Sequence, residues 1–312
     1  MIEEFSKPRV IAISGPTAVG KSNFAFALAN MLNGEIVSAD SRYLYRGMDI
    51  GTAKPTRDIL EKIPHYLVDV ANPDETWSLA KFLVEVNQAI NTIQIHGKIP
   101  ILVGGTGQYI RALIKGWSPP AIPADYPLRT VLDEWLSQFS EDELRKKITV
   151  IDPRLAQNID IKNKRRVIRA FEVMFRSGKQ FSEMRIARKP DYEFFSIGLI
   201  LAREILYQRV DKRIDSMIQS GFIEEVQKLM KAGYSSDLPS FSAIGYRELA
   251  DYLENKMTLD EAVSLMRKKT RILIRRQSNW FRLDDPQIHW MNVEMGYEIK
   301  DIELIKQWIK RG

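Results

Sequence analysis

The segment Gly15–Ser22 (GPTAVGKS) constrains the fold more than any other feature of the sequence. It fits the eight-residue pattern of a phosphate-binding P-loop, which forms where a buried strand passes into a helix. The flanking residues suit both elements, because Arg9–Ser14 is a β-branched apolar run and Asn23–Leu32 has helical amphipathic spacing. The sequence therefore predicts a strand, a glycine turn and a helix that bind a di- or triphosphate.

Each residue type in this loop has a task in phosphate binding. Glycines let the backbone wrap closely, so that its N–H groups and the helix N-terminus point at phosphate oxygens. Lys21 adds a positive charge, and the Ser22 hydroxyl can ligate Mg²⁺. The residues expected to hold the diphosphate are Gly15, Pro16, Thr17, Ala18, Val19, Gly20, Lys21 and Ser22.

Further apolar runs predict a parallel sheet around this first strand. Glu35–Ala39 and Ile99–Val103 are nearly continuous apolar segments, as strands buried on both faces are. Tyr66–Val70 and Phe195–Leu201 are predicted to add two more strands. The pattern indicates an α/β fold with a P-loop NTPase-like, doubly wound parallel-sheet core.

The long interval between the last two predicted strands indicates an inserted domain. Ser118–Pro127 is a proline-rich hinge, and the charged amphipathic segments from Leu128 to about Lys189 contain no convincing strand. We therefore predict a catalytic core made of residues 1–117 and 190–312, with a helical insertion domain at 118–189. From Arg203 onward the helical periodicity returns, which predicts a mostly helical C-terminal part.

Two other predicted strand ends should meet the P-loop, because ligands of open α/β sheets collect outside the carboxyl ends of the strands. Asp40 follows one strand; it is a candidate Mg²⁺ ligand or general base, or else a turn aspartate that caps a helix. Ser41 stands where mechanical NTPases usually have a water-activating Glu, which argues against a motor. Gly104–Gly107 follows another strand and directs the Thr106 hydroxyl toward a pyrophosphate, although such glycine clusters also form ordinary turns.

Two basic segments point to a polyanionic partner. Arg267–Arg276 contains six basic residues, and no acidic residue occurs from Ala262 to Leu283. A second cluster lies at 162–169 in the predicted insertion, so that a long nucleic acid could contact both; a solvated helix face is the alternative. Arg209 and Arg213 share a helix face, where they serve either as a phosphate clamp or as salt-bridge partners.

Composition removes several classes of function. The chain has no Cys and three His, which argues against disulfide frameworks, thiol catalysis, zinc fingers and iron–sulfur ligation. No apolar run reaches the roughly 18 to 20 residues of a membrane span, and the N-terminal segment is too polar for a signal peptide. We therefore expect a cytoplasmic protein without a membrane partner. Its net charge of +6 is compatible with binding a polyanion.

Six motifs together resemble the tRNA dimethylallyltransferase family, also called tRNA isopentenyltransferases, in its bacterial form. The resemblance covers nearly the whole chain, and the run through MDIGTAKP is very specific, whereas the P-loop is shared with many unrelated enzymes. The motifs are Gly15–Ser22, Asp40–Pro55, Leu102–Leu113, Arg165–Val173, Ser242–Glu248 and Arg275–Arg282.

The resemblance implies transfer of the dimethylallyl group from dimethylallyl diphosphate to N6 of the adenosine immediately 3′ of the tRNA anticodon, assisted by Mg²⁺. The P-loop then holds a diphosphate leaving group rather than ATP. By match to the family, Asp40 takes the proton from the adenine amine and Thr106 contacts the oxygen between the allylic carbon and the diphosphate. Lys21, Ser22 and Arg213 stabilise the departing diphosphate, and Ser22 is the candidate metal ligand.

The implied partners are dimethylallyl diphosphate and the tRNA anticodon stem-loop, bound by a monomer. The residues implied to contact tRNA are Asp40, Ser41, Arg42, Tyr43, Thr106, Arg129, Arg165, Arg166, Val167, Ile168, Arg169, Ser242, Gly245, Tyr246, Arg247, Arg275, Arg276, Gln277, Trp280 and Arg282. Within this set the sequence departs from the family pattern at one place: Arg42-Tyr43 stands where the family often has Met-Gln.

Three other functions fit parts of the sequence. A small-molecule kinase explains the P-loop and Asp40 but leaves both basic segments without a use. An adenylate isopentenyltransferase performs the same chemistry on a free nucleotide, whereas the insertion and Arg275–Arg282 favour RNA as acceptor. The third is an RNA-binding protein whose P-loop is regulatory, and it is distinguished by a loss of catalysis when Asp40 is replaced.

Overall fold

The protein is described by a computed structural model that covers residues 7–184, 186–294, 296 and 299–310. The first six residues of the predicted core, which belong to the polar N-terminal segment, lie outside this description. The strands are β1 (Arg9–Ser14), β2 (Gly34–Ser38), β3 (His65–Tyr66), β4 (Ile99–Val103), β5 (Trp117–Ser118), β6 (Ile186–Ala187), β7 (Glu193–Ile200) and β8 (Ile288–Asn292).

The helices alternate with the strands in the first part of the chain and dominate the rest. They are α1 (Lys21–Leu32), α2 (Arg57–Lys62), α3 (Leu79–Ile95), α4 (Gly107–Ile114), α5 (Tyr126–Leu136), α6 (Glu141–Ile151), α7 (Pro153–Asn158), α8 (Lys164–Ser177), α9 (Phe181–Met184), α10 (Arg203–Gln219), α11 (Phe222–Lys231), α12 (Tyr246–Leu253), α13 (Leu259–Ser278) and α14 (Ile299–Lys310). A 3₁₀ turn covers Pro239–Ser242.

The core is a parallel sheet with strand order β3-β2-β4-β1-β7-β8. The central strand β1 lies between β4 and β7, and its Ile11 and Ile13 are fully buried. Burial on both faces explains the continuous apolar runs that the sequence shows here. The predicted α/β class and parallel core are confirmed, and the predicted limits of β1 and β4 are those observed.

Both edges of this sheet contain a feature that the sequence analysis did not predict. The strand predicted over Tyr66–Val70 ends at Tyr66, because Leu67 and Asp69 adopt left-handed backbone angles that break strand pairing. The C-terminal part is mostly helical, as predicted, but it also supplies the unpredicted edge strand β8, which pairs in parallel with β7. The run IHWMN that forms β8 follows an Asp-Pro turn and has alternating apolar residues, a strand signal that we overlooked.

The chain folds into two compact units, one of residues 1–114 with 190–312 and the other of residues 115–189. The second unit contains α5–α9 around its own apolar core, which includes Leu132, Ile148 and Phe171. Its helices carry clear local signals: Ser140 and Glu143 form a capping box at the start of α6, and Gly178 ends α8 in the left-handed conformation. Its short β6 pairs with β5, although no strand was predicted within 118–189.

Within the described residues, the helices are too short or too polar to cross a bilayer.

Candidate active site

The P-loop connects β1 to α1 with the geometry that its glycines require. Gly20, which precedes the first residue of α1, has a φ of 105°, and Ala18 is also left-handed with a φ of 64°. A Cβ on Gly15 would lie 2.7 Å from the carbonyl oxygen of Leu199 on β7, so a side chain there would displace the loop. The loop is therefore held against the carboxyl end of the neighbouring strand, where the sequence predicted the phosphate site.

Burial controls the charge of Lys21 at the end of this loop. Its ammonium group donates a hydrogen bond to the carbonyl of Pro16 at 2.8 Å. Burial lowers the pKa of Lys21 to about 8; the carboxylate of Asp40 opposes this shift, and the nearby guanidinium of Arg213 adds to it. A dianionic group bound here would supply the compensating negative charge that the lysine lacks.

The loop after β4 lies beside the residues that follow β2. A Cβ on Gly104 would lie 2.2 Å from the carbonyl oxygen of Ala39, which explains why the sequence has glycine at this close approach. The Ser41 N–H donates to the Thr106 hydroxyl at 3.0 Å, and the Arg42 N–H donates to Asp40 Oδ1 at 2.9 Å. The structure therefore brings Asp40 and Thr106 together at adjacent strand ends.

These loops open onto a cavity of about 680 Å³ in the core unit. Its polar lining includes Thr17, Lys21, Asp40, Thr106 and Arg213. Most of its apolar lining comes from α10 and α13 and includes Val210, Ile214, Met217, Met266, Ile272 and Leu273. A ligand with a charged diphosphate head and a short hydrocarbon tail matches both kinds of lining.

Sequence reasoning missed the contacts that hold the specific run MDIGTAKP beside this cavity. The carboxylate of Glu225 on α11 accepts hydrogen bonds from the backbone N–H groups of residues 49, 50 and 51, at 2.8 to 3.2 Å. The Tyr246 hydroxyl donates to the same carboxylate at 2.7 Å. Lys54, almost fully buried, pairs with Asp49 and Asp69. These partners are far apart in sequence, so no local pattern indicates them.

Tyr43, at the position that departs from the family pattern, faces the P-loop. Its hydroxyl donates to the Ala53 carbonyl at 2.8 Å, and its phenol also hydrogen-bonds to the Ser22 side chain. Burial, together with the charge of Asp40, raises the pKa of Tyr43 to about 12. The phenol therefore stays protonated and acts as a neutral hydrogen-bonding group beside Ser22.

Several residues implied to contact tRNA in the core unit are buried instead. Gly245 and Tyr246 are inaccessible, and Gln277 is 8% exposed. Trp280 packs its ring on Gly107, where a Cβ would lie 2.2 Å from the indole. Tyr246 presents no surface to an RNA, whereas the Gln277 side chain is mostly buried but lines the cavity. The residues of the set that remain exposed in this part of the chain are Ser242, Arg247, Arg275, Arg276 and Arg282.

The basic stripe predicted on α13 divides into two halves. Arg267 pairs with Asp215, and Arg271 pairs with Asp211, so the first half fastens α13 to α10. Arg275 and Arg276 lie in the exposed last turn of α13, and Arg276 lines the cavity. Asp211 and Asp215 therefore pair with arginines of α13, and Arg213 lines the cavity. The Arg209 guanidinium donates a hydrogen bond to the carbonyl of Ala18 in the P-loop at 3.4 Å.

In the second unit, a buried carboxylate organises two of the arginines implied to contact tRNA. Glu172 is fully buried and accepts hydrogen bonds from Arg129 at 2.8 and 3.0 Å and from Arg169 at 2.6 Å. Val167 is also buried and Ile168 is half-buried, whereas Arg165 and Arg166 are exposed. Helix α8 turns the Val167 side chain into the core of the unit, which leaves Arg165 and Arg166 as the exposed side chains of this segment.

Comparison with known proteins agrees with this geometry. The family model described as IPP transferase matches residues 43–284. The tRNA dimethylallyltransferase of Roseiflexus sp. strain RS-1 is 45% identical over 273 residues, which are 88% of this chain and 90% of that protein. The corresponding enzyme of Pelotomaculum thermopropionicum is 40% identical and is aligned over 100% of this chain and 98% of its own.

Solved structures are similar over the same length. The tRNA isopentenylpyrophosphate transferase of Bacillus halodurans has a TM-score of 0.70 and 38% identity, covering 97% of this chain and 96% of that one. A eukaryotic dimethylallyltransferase acting on tRNA has a TM-score of 0.81 and 26% identity, covering 97% of this chain and 80% of that one. By fold, by motif and by similarity along its length, the chain belongs to the IPP transferase family.

Proposed function

We propose that the protein transfers the dimethylallyl group of dimethylallyl diphosphate to N6 of the adenosine immediately 3′ of the anticodon in tRNA, and releases diphosphate. The observation that carries this proposal is the cavity, because the P-loop, the Asp40 carboxylate and an apolar wall line a single space. The hydrocarbon tail of a prenyl diphosphate would pack on this apolar wall. The names of the similar enzymes support the choice of a prenyl donor and a tRNA acceptor.

The reaction needs one base and several groups that stabilise negative charge. The adenine amine attacks the allylic carbon, a C–N bond forms, and the bond from that carbon to the diphosphate oxygen breaks. Asp40 accepts the proton that the amine loses, and Thr106, held beside Ser41, donates its hydroxyl toward the leaving oxygen. Lys21 and Arg213 stabilise the charge that develops on the diphosphate.

The residues at the P-loop are compatible with Mg²⁺. Mg²⁺ is commonly held by one or two protein oxygens together with substrate phosphates and water, and Ser22 provides an exposed hydroxyl at the start of α1. The described residues contain no group of three or more His, Asp or Glu that would hold a metal without a substrate. When bound, the ion would neutralise charge on the leaving diphosphate, and Ser22 would hold it.

For tRNA binding, we propose the exposed basic residues of each unit rather than the whole implied set. In the core unit these are Arg247, Arg275, Arg276 and Arg282, and in the second unit Arg165 and Arg166. Asp40, Ser41, Arg42 and Thr106 line the cavity, where the target adenine must enter, so contact there comes from the base and not from the RNA backbone.

Replacing Asp40 by Asn tests the proposed base. The amide keeps the size and the hydrogen bond from the Arg42 N–H but cannot take a proton, so transfer should fall at least a hundredfold. The affinity for tRNA, measured by filter binding, should stay within a few-fold of the unchanged protein. Parallel loss of transfer and of tRNA affinity would contradict the assignment of Asp40 as the base.

A further inference from the structure

We propose that Gln277, which the sequence placed among the tRNA contacts, is a positioning residue for the diphosphate site. It acts by joining the P-loop to the loop after β4. This inference rests on the proposed function, because it assumes that a diphosphate binds at the P-loop. It assigns Gln277 a role in donor binding and none in direct contact with RNA.

The two halves of the Gln277 amide contact the two loops that form the site. Its Oε1 accepts a hydrogen bond from the Thr17 N–H at 2.8 Å, and its Nε2 donates to the Gly105 carbonyl at 3.0 Å. Thr17 belongs to the loop after β1 and Gly105 to the loop after β4, and these strands are neighbours in the sheet. A single side chain from α13 therefore fixes the spacing of both loops.

Gln277 is buried where α13 packs on the core unit. The side chain is 8% exposed, and it is the one polar residue among the buried positions described for α13. A buried amide needs its hydrogen bonds, because an unpaired donor or acceptor costs more free energy than a typical bond contributes. Three residues later, Trp280 packs on Gly107 and docks the end of α13 on the same loop.

The contact between the Gln277 amide and the loop after β4 can also be disturbed by a substitution of Gly105 in that loop. A Cβ at residue 105 would lie 2.5 Å from Gln277 Nε2, and the next atoms it would meet are Gln277 Cδ at 3.6 Å and Lys21 Nζ at 3.8 Å. Its φ is not in the left-handed region, so alanine fits the backbone. The amide is the end of a flexible side chain, and Gly105→Ala should therefore displace it without disturbing the fold.

The experiment is a double-mutant cycle of Gln277→Ala and Gly105→Ala, read by calorimetric binding of inorganic diphosphate in the presence of Mg²⁺. Each single variant should weaken diphosphate binding about tenfold, because the two loops lose their common partner. The double variant should bind like Gln277→Ala alone, since the alanine at 105 then meets no amide. Ser278→Ala, at the neighbouring α13 position whose hydroxyl bonds only within the helix, is the matched control and should bind like the unchanged protein.

Further readouts separate positioning from general destabilisation. In the transfer assay, Gln277→Ala should raise KM for dimethylallyl diphosphate about tenfold while kcat falls less, and tRNA affinity should change less than twofold. The inference is overturned if both single variants bind diphosphate within twofold of the unchanged protein, if their effects multiply in the double variant, or if tRNA affinity is lost instead. Absence of transfer by the unchanged protein would refute the proposed function, whereas the diphosphate measurements test Gln277 by themselves.

Discussion

Lys21 shows how a single residue can link the phosphate site to pH. Burial lowers the pKa of Lys21 to about 8, so a large fraction of the free protein carries a neutral lysine above that pH. A bound diphosphate stabilises the ammonium form and raises the pKa of Lys21. The full affinity for diphosphate is then present below pH 8. Above pH 8, Lys21 must take up a proton when diphosphate binds.

We expect the affinity for diphosphate to fall by up to about tenfold per pH unit above pH 8 through Lys21. Calorimetry at pH 7, 8 and 9, in buffers of different ionisation enthalpy, measures both the affinity and the proton uptake. Lys21→Arg is the control, because its side chain remains charged and leaves only the titration of the ligand. Identical pH profiles for the unchanged protein and this variant would contradict the assigned role of Lys21.

At the residue scale, the sequence predicted those site residues that belong to local motifs. The P-loop, Asp40 and Thr106 each follow a strand, and the carboxyl ends of parallel strands meet at one edge. The structural roles of Gln277 and Glu225 were not predicted, because their hydrogen-bond partners lie 260 and about 175 residues away in the sequence. Such contacts depend on the packing of α11 and α13, which no local pattern specifies.

The two halves of α13 are expected to differ in what they do for RNA binding. Arg267 and Arg271 are neutralised by carboxylates of α10, whereas Arg275 and Arg276 extend from the exposed last turn. A cation that already has a carboxylate partner releases fewer counterions when a phosphate approaches.

Log K for tRNA binding falls as log salt concentration rises. We therefore expect the double substitution Arg275→Gln and Arg276→Gln to make this slope less steep by about 1 to 2. Arg267→Gln with Arg271→Gln removes the same number of charges and is the matched control; its slope should change by less than half as much. Filter binding from 50 to 300 mM salt gives both values. Equal changes in slope would show that the affinity follows net charge alone.

The buried carboxylate of Glu172 is expected to stabilise the second unit. Burial by itself would raise the pKa of Glu172, but hydrogen bonds from Arg129, the Asp125 backbone and Arg169 outweigh it and lower the pKa to about 2. Because the folded pKa lies below the ordinary value of 4.5, the stabilisation is complete above about pH 4.5 and is lost as the pH falls toward 2.

Replacing Glu172 by Gln should leave Arg129 and Arg169 without their buried partner and destabilise the second unit by about 3 kcal/mol. Hydrogen exchange of the full chain should show faster exchange in α5 and α8, while the parallel sheet of the core unit stays protected. Between pH 4.5 and 3, α5 and α8 of the unchanged protein should lose protection from exchange. The same pH change should have a much smaller effect on the variant. Unchanged protection of α5 and α8 in Glu172→Gln at neutral pH would contradict this role.

At the element scale, buried strands were predicted better than edge strands. Strands β1 and β4 lie inside the sheet, where burial on both faces produces an apolar run that is easy to identify. The edge strands β3 and β8 are short or half-buried, so their composition resembles that of the loops and helices around them. Left-handed residues at 67 and 69 are not indicated by the side chains present there.

For the molecule as a whole, the proposed function requires the P-loop to hold the diphosphate of a prenyl donor beside a base for adenine. The cavity of about 680 Å³ combines cationic and apolar lining, and the exposed arginines at the end of α13 lie close in sequence to its lining residues Gln277 and Trp280. A free-nucleotide acceptor would use the cavity but not the basic surfaces, and a small-molecule kinase would also leave the basic surfaces without a use.

The most direct test is to incubate the purified protein with radiolabelled dimethylallyl diphosphate, Mg²⁺ and unmodified tRNA, with AMP offered in a parallel reaction. We predict label in tRNA, located at the adenosine 3′ of the anticodon, and none in AMP. Label in AMP instead of tRNA would assign the acceptor to free nucleotides. Label in neither, together with ATP turnover, would contradict the central claim.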